Sequence, residues 1–234
     1  MSVLCGCPLS CADPATSGAD YAARRNAMVD GIVSRYSIED DAVVESLRSV
    51  PRHLFVPADV RAAAYADTPL PIGNEQTISA PSIVAVMTDL LRPRPDHVVL
   101  EVGTGSGYQA AVLSPLVKHI YTIEIVEPLA HSARARLREL GYANVTVRAG
   151  DGYRGWPDHA PFDGIIVTCA PERIPEPLVE QLKEGGRMVI PVGDESGAQD
   201  LYLLIKEHGQ IVMQAVLPVI FVPMTGEARG DPEG

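Results

Sequence analysis

The sequence predicts an α/β fold: a doubly wound, mostly parallel sheet with a helical N-terminal preamble and an antiparallel hairpin at its C-terminal edge. Three observations carry this expectation. After Pro95, five short apolar runs alternate with helical patterns, and parallel neighbours need such crossovers to bring the chain back to the same edge. The first run leads directly into a cluster of glycines. The last two apolar stretches, 201–205 and 211–222, are joined by a turn centred on Gly209 with no helical pattern between them, which marks an antiparallel pair.

In chain order, residues 1–27 are expected to form a poorly ordered extension, because Pro8, Pro14 and Gly18 interrupt a stretch with little periodic apolar content. Cys5, Cys7 and Cys11 lie there, and Cys169 lies far from them. Such usage is not a disulfide framework, and three thiols with no partner pair fall short of the four ligands of a structural zinc site. A single domain is expected over 28–225, with a tail at 226–234. Ala42, Val43, Leu47 and Val50 have helical spacing, and the proline-rich stretch 51–73 carries two apolar islands, 54–56 and 70–72. From Pro81, the residues Ile83, Val86, Met87, Leu90 and Leu91 make one face of an amphipathic helix that stops at Pro93. Strands are expected at 98–100, 120–123, 145–147, 164–167 and 188–190. Between them run an apolar helix through 110–113, a helix from Pro128 that ends before Gly141, and a short helix at 177–182.

The chain has 234 residues, 46% hydrophobic and 21% charged, which places it among ordinary globular proteins. With 19 Lys+Arg against 30 Asp+Glu, the net charge of −11 repels nucleic-acid phosphates and anionic headgroups. No apolar stretch approaches the roughly 20 residues that cross a bilayer, and the N-terminus lacks the basic and apolar regions of a signal peptide. A cytoplasmic monomer without nucleic-acid or membrane partners is therefore expected.

In such sheets ligands bind beyond the carboxyl ends of the strands, where strand order reverses. The first strand end reads Glu101-Val102-Gly103-Thr104-Gly105-Ser106-Gly107. Its glycines let backbone approach a ligand, but their alternate spacing differs from the G-x-G-x-x-G of a dinucleotide site. Glu124, about 20 residues past Gly103, stands where such folds place a carboxylate against a ribose diol. Standing alone it reads better as an exposed strand-end acid or a helix cap before Pro128. Asp151, between Gly150 and Gly152, is placed for an adenine amino group, or is a plain turn, since Asp-Gly is a common turn pair. Together the three ends describe a pocket for an adenosine whose 5′ substituent carries no phosphate.

That pocket resembles the S-adenosylmethionine site of class I methyltransferases. The surrounding motifs, 99–111, Gln76-Thr77-Ile78-Ser79, 50–57 and Gly185 to Gly193, resemble the protein-L-isoaspartate O-methyltransferase family from about Met28 to Thr225. The resemblance implies S-adenosylmethionine as methyl donor, with Glu101, Gly103, Gly105, Glu124, Asp151, Gly152, the Thr77-Ile78-Ser79 turn and Thr225 at the cofactor. It implies methylation of the free α-carboxyl of L-isoaspartyl residues in damaged proteins and peptides, initiating repair through a succinimide. Asn74-Glu75 before Gln76 departs from the family pattern, and so does the cysteine-bearing N-terminus.

Methyl transfer to a carboxylate needs no general base, because a carboxyl with a pKa of roughly 4 is ionised at neutral pH. Alignment and exclusion of water remain. No metal is implied. Ser79, the expected catalytic residue, would by the resemblance donate a hydrogen bond that orients the substrate carboxylate; read from the residues alone, a cap for the helix at Pro81 is the favoured reading. Cys169 reads as a small apolar filler rather than a nucleophile, His53 as a packed or surface histidine, and Trp156 has no assigned role. Rival readings are a methyltransferase for an Asp side chain in one dedicated peptide, a non-catalytic adenosyl-ligand binding module, and a nicotinamide dehydrogenase.

Overall fold

The computed structural model describes residues 18–194 and 197–229. The expected extension up to residue 17, with Cys5, Cys7 and Cys11, lies outside the described residues. Residues 18–27 do not continue it: helix α1 runs Gly18–Tyr36. Three kinds of contact fasten this helix. Met28, Val29 and Ile32 are buried, and the Arg24 guanidinium donates to the Ala62 carbonyl at 2.5 Å while Arg25 donates to that of Arg48. Tyr21 stacks on His53 with ring centroids 3.9 Å apart.

Helix α2 (Asp41–Ser49) follows, its N-cap Asp40 accepting from the Ala42 N–H. Next comes a two-stranded ribbon, β1 (Leu70–Gly73) and β2 (Gln76–Ile78), that the sequence did not suggest. Its turn residues are the departure noted above. Asn74 and Glu75 both have positive φ, +52° and +59°, so this is the two-residue hairpin turn whose twist matches that of the strands it joins.

Helix α3 (Pro81–Leu91) ends at Arg92 in the left-handed conformation. One buried face was expected, but Val84, Ala85 and Thr88 are buried as well. The reason is a second layer: α1 and α2 both pack on α3, which itself lies on the sheet.

The main sheet holds β3 (Val98–Val102), β4 (His119–Glu124), β5 (Val145–Ala149), β6 (Phe162–Val167), β7 (Leu182–Gly193), β8 (Gln199–Glu207) and β9 (Gln210–Val219). Their order is β5-β4-β3-β6-β7-β8-β9. The first five are mutually parallel, and β8 and β9 close the edge as an antiparallel pair. The expected strands and edge hairpin are all present. Helices α4 (Tyr108–Leu113) and α5 (Glu127–Glu139) make the first two crossovers, and α6 (Glu176–Glu180) precedes β7. The β5–β6 crossover has only two short 3-10 turns, Gly152–Arg154 and Pro157–His159.

Alternation along the strands divides the core. Val99, Ile120, Ile166 and Val189 pack towards α1–α4. Leu100, Ile123, Ile165, Met188 and Ile190 pack with Trp156, Phe162 and Leu178 on the other face. Both faces are covered, as a parallel sheet requires. Among the described residues no helix is long and apolar enough to cross a membrane.

Candidate active site

Chain order reverses between β3 and β6, and a crevice opens beyond their carboxyl ends. The two loops are tied across it. The Thr168 hydroxyl donates to the Gly103 carbonyl at 2.6 Å, and Gly103 has φ +95°. A Cβ on Gly103 would come within 2.4 Å of the Thr168 hydroxyl oxygen, so both φ and space demand glycine there.

Glu124 ends β4 with its carboxylate held by backbone on both sides. Oε2 accepts from the Gly105 N–H at 2.7 Å and Oε1 from the Val126 N–H at 3.0 Å. Burial pushes its pKa up, and these N–H bonds oppose the shift. Each oxygen retains acceptor capacity, so the pair faces the cavity ready for two hydroxyls.

Asp151 follows β5. Its Oδ1 accepts from the Tyr153 N–H at 2.9 Å and its Oδ2 from the Glu227 N–H at 2.7 Å. Thus the stretch after β9 crosses the crevice and is fastened on the far side. On the way, Ala170 N–H donates to Val222 O and Met224 N–H to Ala170 O, each at 2.8 Å, and Arg154 pairs with Glu227.

Ser79 is not a helix cap. The N-cap of α3 is Ala80, without a side-chain bond, and the free Ser82 N–H is taken by Asp67 Oδ1 at 2.9 Å. Arg52, fully buried, secures that loop by donating to the carbonyls of Ala64 at 2.9 Å and Thr68 at 3.4 Å. The Ser79 side chain is left to the crevice.

Two adjoining cavities result. Thr77, Ile78, Ser79, Gly103, Gly105, Glu124, Asp151, Gly152 and Thr225 all line the first. Glu101 does not: it is fully buried beneath the cavity floor, in β3 beside Thr122 of β4. Strand alternation explains this, since Gly103, two residues on, is already in the loop. Burial pushes the Glu101 carboxyl up to about 8, against the Thr122 hydroxyl, which lowers it. Sequence reasoning passed over Ser106 and Gln109, although they sit inside the glycine motif, and Thr168, whose role appears only when β6 lies beside β3. The second cavity is lined by Pro69, Ile83, Gln199, Ile220 and Phe221 among others. Thr77, Ser79, Thr168 and Val222 line both.

The first cavity suits an adenosyl ligand. The Ser106 hydroxyl and the Gln109 side-chain carbonyl are buried on its lining without a partner among the described residues, and Ile125, 41% exposed, offers an apolar side to a flat base. A Cβ on Gly105 would meet only Ile72, at 3.4 Å, so that glycine keeps the cavity open. Cys169 lies on the same lining, but burial pushes its thiol up to about 12, far from a reactive thiolate. His53 lines neither cavity; its Nδ1 lies 2.7 Å from the Tyr65 hydroxyl. Trp156 packs edge-on to Tyr121, under the Arg148 guanidinium.

Similarity to known proteins agrees with this geometry. The family described as protein-L-isoaspartate(D-aspartate) O-methyltransferase matches residues 23–229. A protein-L-isoaspartate O-methyltransferase of Opitutus terrae is 55% identical over 204 residues, covering 87% of each chain. Protein-L-isoaspartate O-methyltransferase 2 of a Polaromonas species is 58% identical over 80% of this chain and 90% of its own. A solved Plasmodium falciparum structure of that enzyme type, in complex with S-adenosyl-L-homocysteine, superposes with a TM-score of 0.73 at 25% identity, covering 86% of this chain and 98% of that one. With the family matched across nearly all of the described residues, and with its loops forming the cavity walls, this chain belongs to the protein-L-isoaspartate(D-aspartate) O-methyltransferase family.

Proposed function

We infer that this chain transfers a methyl group from S-adenosylmethionine to the free α-carboxylate of L-isoaspartyl residues in damaged proteins and peptides, initiating repair through a succinimide. The observation that carries this reading is the meeting of two cavities at Thr77, Ser79, Thr168 and Val222. One cavity has the carboxylate and glycines that suit an adenosyl ligand; the other is apolar and open enough for a peptide.

Bound S-adenosylmethionine supplies an electrophilic methyl group on a sulfonium. The residues of the chain do the rest. Glu124 would accept from the ribose hydroxyls and Asp151 from the adenine amino group, and the backbone at Gly103, Gly105 and Gly152 would lie against the ligand. Thr77, Ile78 and Thr225 close its sides. Ser79, which lines both cavities, would donate to the incoming carboxylate and orient it. The nucleophile arrives ionised, so no residue need take up a proton. Bringing the partners together in a water-poor crevice supplies the acceleration, through proximity and desolvation.

The reading extends to a monomer working in the cytoplasm. Its net charge of −11 disfavours nucleic-acid and anionic-membrane partners.

The deciding experiment pairs an isoaspartyl peptide with its ordinary aspartyl twin and S-adenosylmethionine carrying a labelled methyl group. Label is expected in the isoaspartyl peptide alone, because the rerouted backbone moves the carboxylate by a methylene and in-line geometry is lost for the twin. Equal labelling of both would overturn the reading.

A further inference from the structure

The backbone ladder between β8 and β9 stops at the pair Gln199 and Val219. Two residues further in that register, Phe221 would face Gly197, but the Gly197 N–H is turned away to the Asp194 carbonyl at 3.2 Å. The Gln199 side chain takes the place of the missing backbone. Its Oε1 accepts from the Phe221 N–H at 2.7 Å, and its Nε2 donates to the Phe221 carbonyl at 3.2 Å. A carboxamide carries one acceptor and a donor in one plane, so it can copy the pairing face of a peptide group. Gln199 is 3% exposed, and both ends of its amide are committed to this one residue.

We propose that Gln199 is a positioning residue for the peptide substrate: by clamping Phe221 it sets the wall that runs through Ile220 and Val222 along the second cavity. Ile220, 95% exposed, stands on one side of the clamped residue and Val222 on the other. The next backbone tie is at Val222 itself, whose carbonyl accepts from the Ala170 N–H, and the Phe221 side chain packs against the core, so between Val219 and Val222 the clamp sets the backbone of that packed residue. The cofactor side is held separately, by the Thr168 bond to Gly103 and the Glu124 bonds to Gly105 and Val126. Val222 lines both cavities, but its own bond to Ala170 holds it independently of Gln199; loss of the clamp therefore acts chiefly on the peptide side. The inference rests on reading the second cavity as the peptide site.

The test compares Gln199→Ala and Gln199→Glu with the wild-type chain, measuring KM for an isoaspartyl peptide and Kd for S-adenosylhomocysteine. For Gln199→Ala the peptide KM is expected to rise about tenfold or more, with cofactor Kd within about twofold. Gln199→Glu gives a signature that a merely structural role would not. Ionised, the Glu side chain accepts from the Phe221 N–H but cannot donate to its carbonyl; protonated, it does both. Its peptide KM should therefore fall towards wild type as pH is lowered from about 8 to about 6, since burial raises a carboxyl pKa, while wild type and Gln199→Ala show no such trend. An unchanged peptide KM in Gln199→Ala, parallel rises in KM and Kd, or a flat profile for Gln199→Glu would each overturn the proposal. If Gln199→Ala fails to fold, the Gln199→Glu profile decides alone. If wild type leaves isoaspartyl peptides unmethylated, the reading of the cavity fails instead, and the clamp is judged by exchange of the Phe221 amide in Gln199→Ala or Gln199→Met, neither of which offers it an oxygen acceptor: protection equal to wild type overturns it.

Discussion

On the proposed reading, Ser79 and Glu124 separate alignment from binding. Replacing Ser79 by Ala removes a hydrogen bond to a charged group, about 1 to 3 kcal/mol, and because Asp67 and not Ser79 serves the α3 terminus, melting temperature should hardly move. Turnover at saturating cofactor is expected to fall while cofactor Kd stays near wild type; a destabilised variant with normal turnover per folded molecule would contradict this. Glu124→Ala should do the opposite, raising cofactor Kd and leaving saturated turnover comparatively intact. Glu101 makes a different prediction, about pH. Its carboxyl is raised from 4.5 to about 8 in the folded chain, so at neutral pH the folded state holds a proton that the unfolded state has released. That contribution is fully present below about 4.5 and is lost as pH rises through about 8, a change on the order of several kcal/mol at about 1.4 per unit. Glu101→Gln cannot ionise. Its melting temperature should match wild type near pH 4.5 and exceed it increasingly towards pH 8; parallel curves across that range would refute the protonated state.

The β1–β2 ribbon shows how a single turn residue sets the cost of an element. Glu75 has φ +59°, a left-handed conformation that costs a side chain with a Cβ about 1 kcal/mol relative to glycine, in a turn type that favours Asn-Gly. Glu75→Gly is expected to stabilise the chain by about that amount, read as a higher urea midpoint at unchanged slope. The ribbon itself was illegible in the sequence, because strands of four and three residues with polar members leave no period to detect. The central strands were legible for the opposite reason: buried on both faces, they appear as continuous apolar runs bounded by turns. Residues 18–27 were misread because α1 is fastened through Tyr21, Arg24 and Arg25, whose partners at 48, 53 and 62 are distant in the chain. The same limit applies to the site. Gly103, Gly105, Glu124 and Asp151 sit at strand ends and could be found locally, whereas Asp67 capping α3, Thr168 at Gly103 and Gln199 at Phe221 join residues that only folding brings together.

At the scale of the whole molecule, the first cavity is lined by the ends of β3, β4, β5 and β6 together with the stretch after β9, so on the proposed reading ligand and fold should stabilise each other. S-adenosylhomocysteine at about 100 times its Kd adds about 2.7 kcal/mol to the folded state, a rise in melting temperature of roughly 5 to 10 °C for a chain of this size. Thermal scans with and without ligand check this, with NAD as the comparison expected to give no rise. The bond from Glu227 N–H to Asp151 spans 76 positions and comes after every strand of the sheet. During synthesis, at about 5 to 20 residues per second, the sheet can assemble while this closing stretch is still inside the ribosome. A nascent chain carrying the glycine loop and Glu124 thus lacks the far wall of its cavity, and competence to hold the methyl donor arrives only once the segment around 227 has emerged.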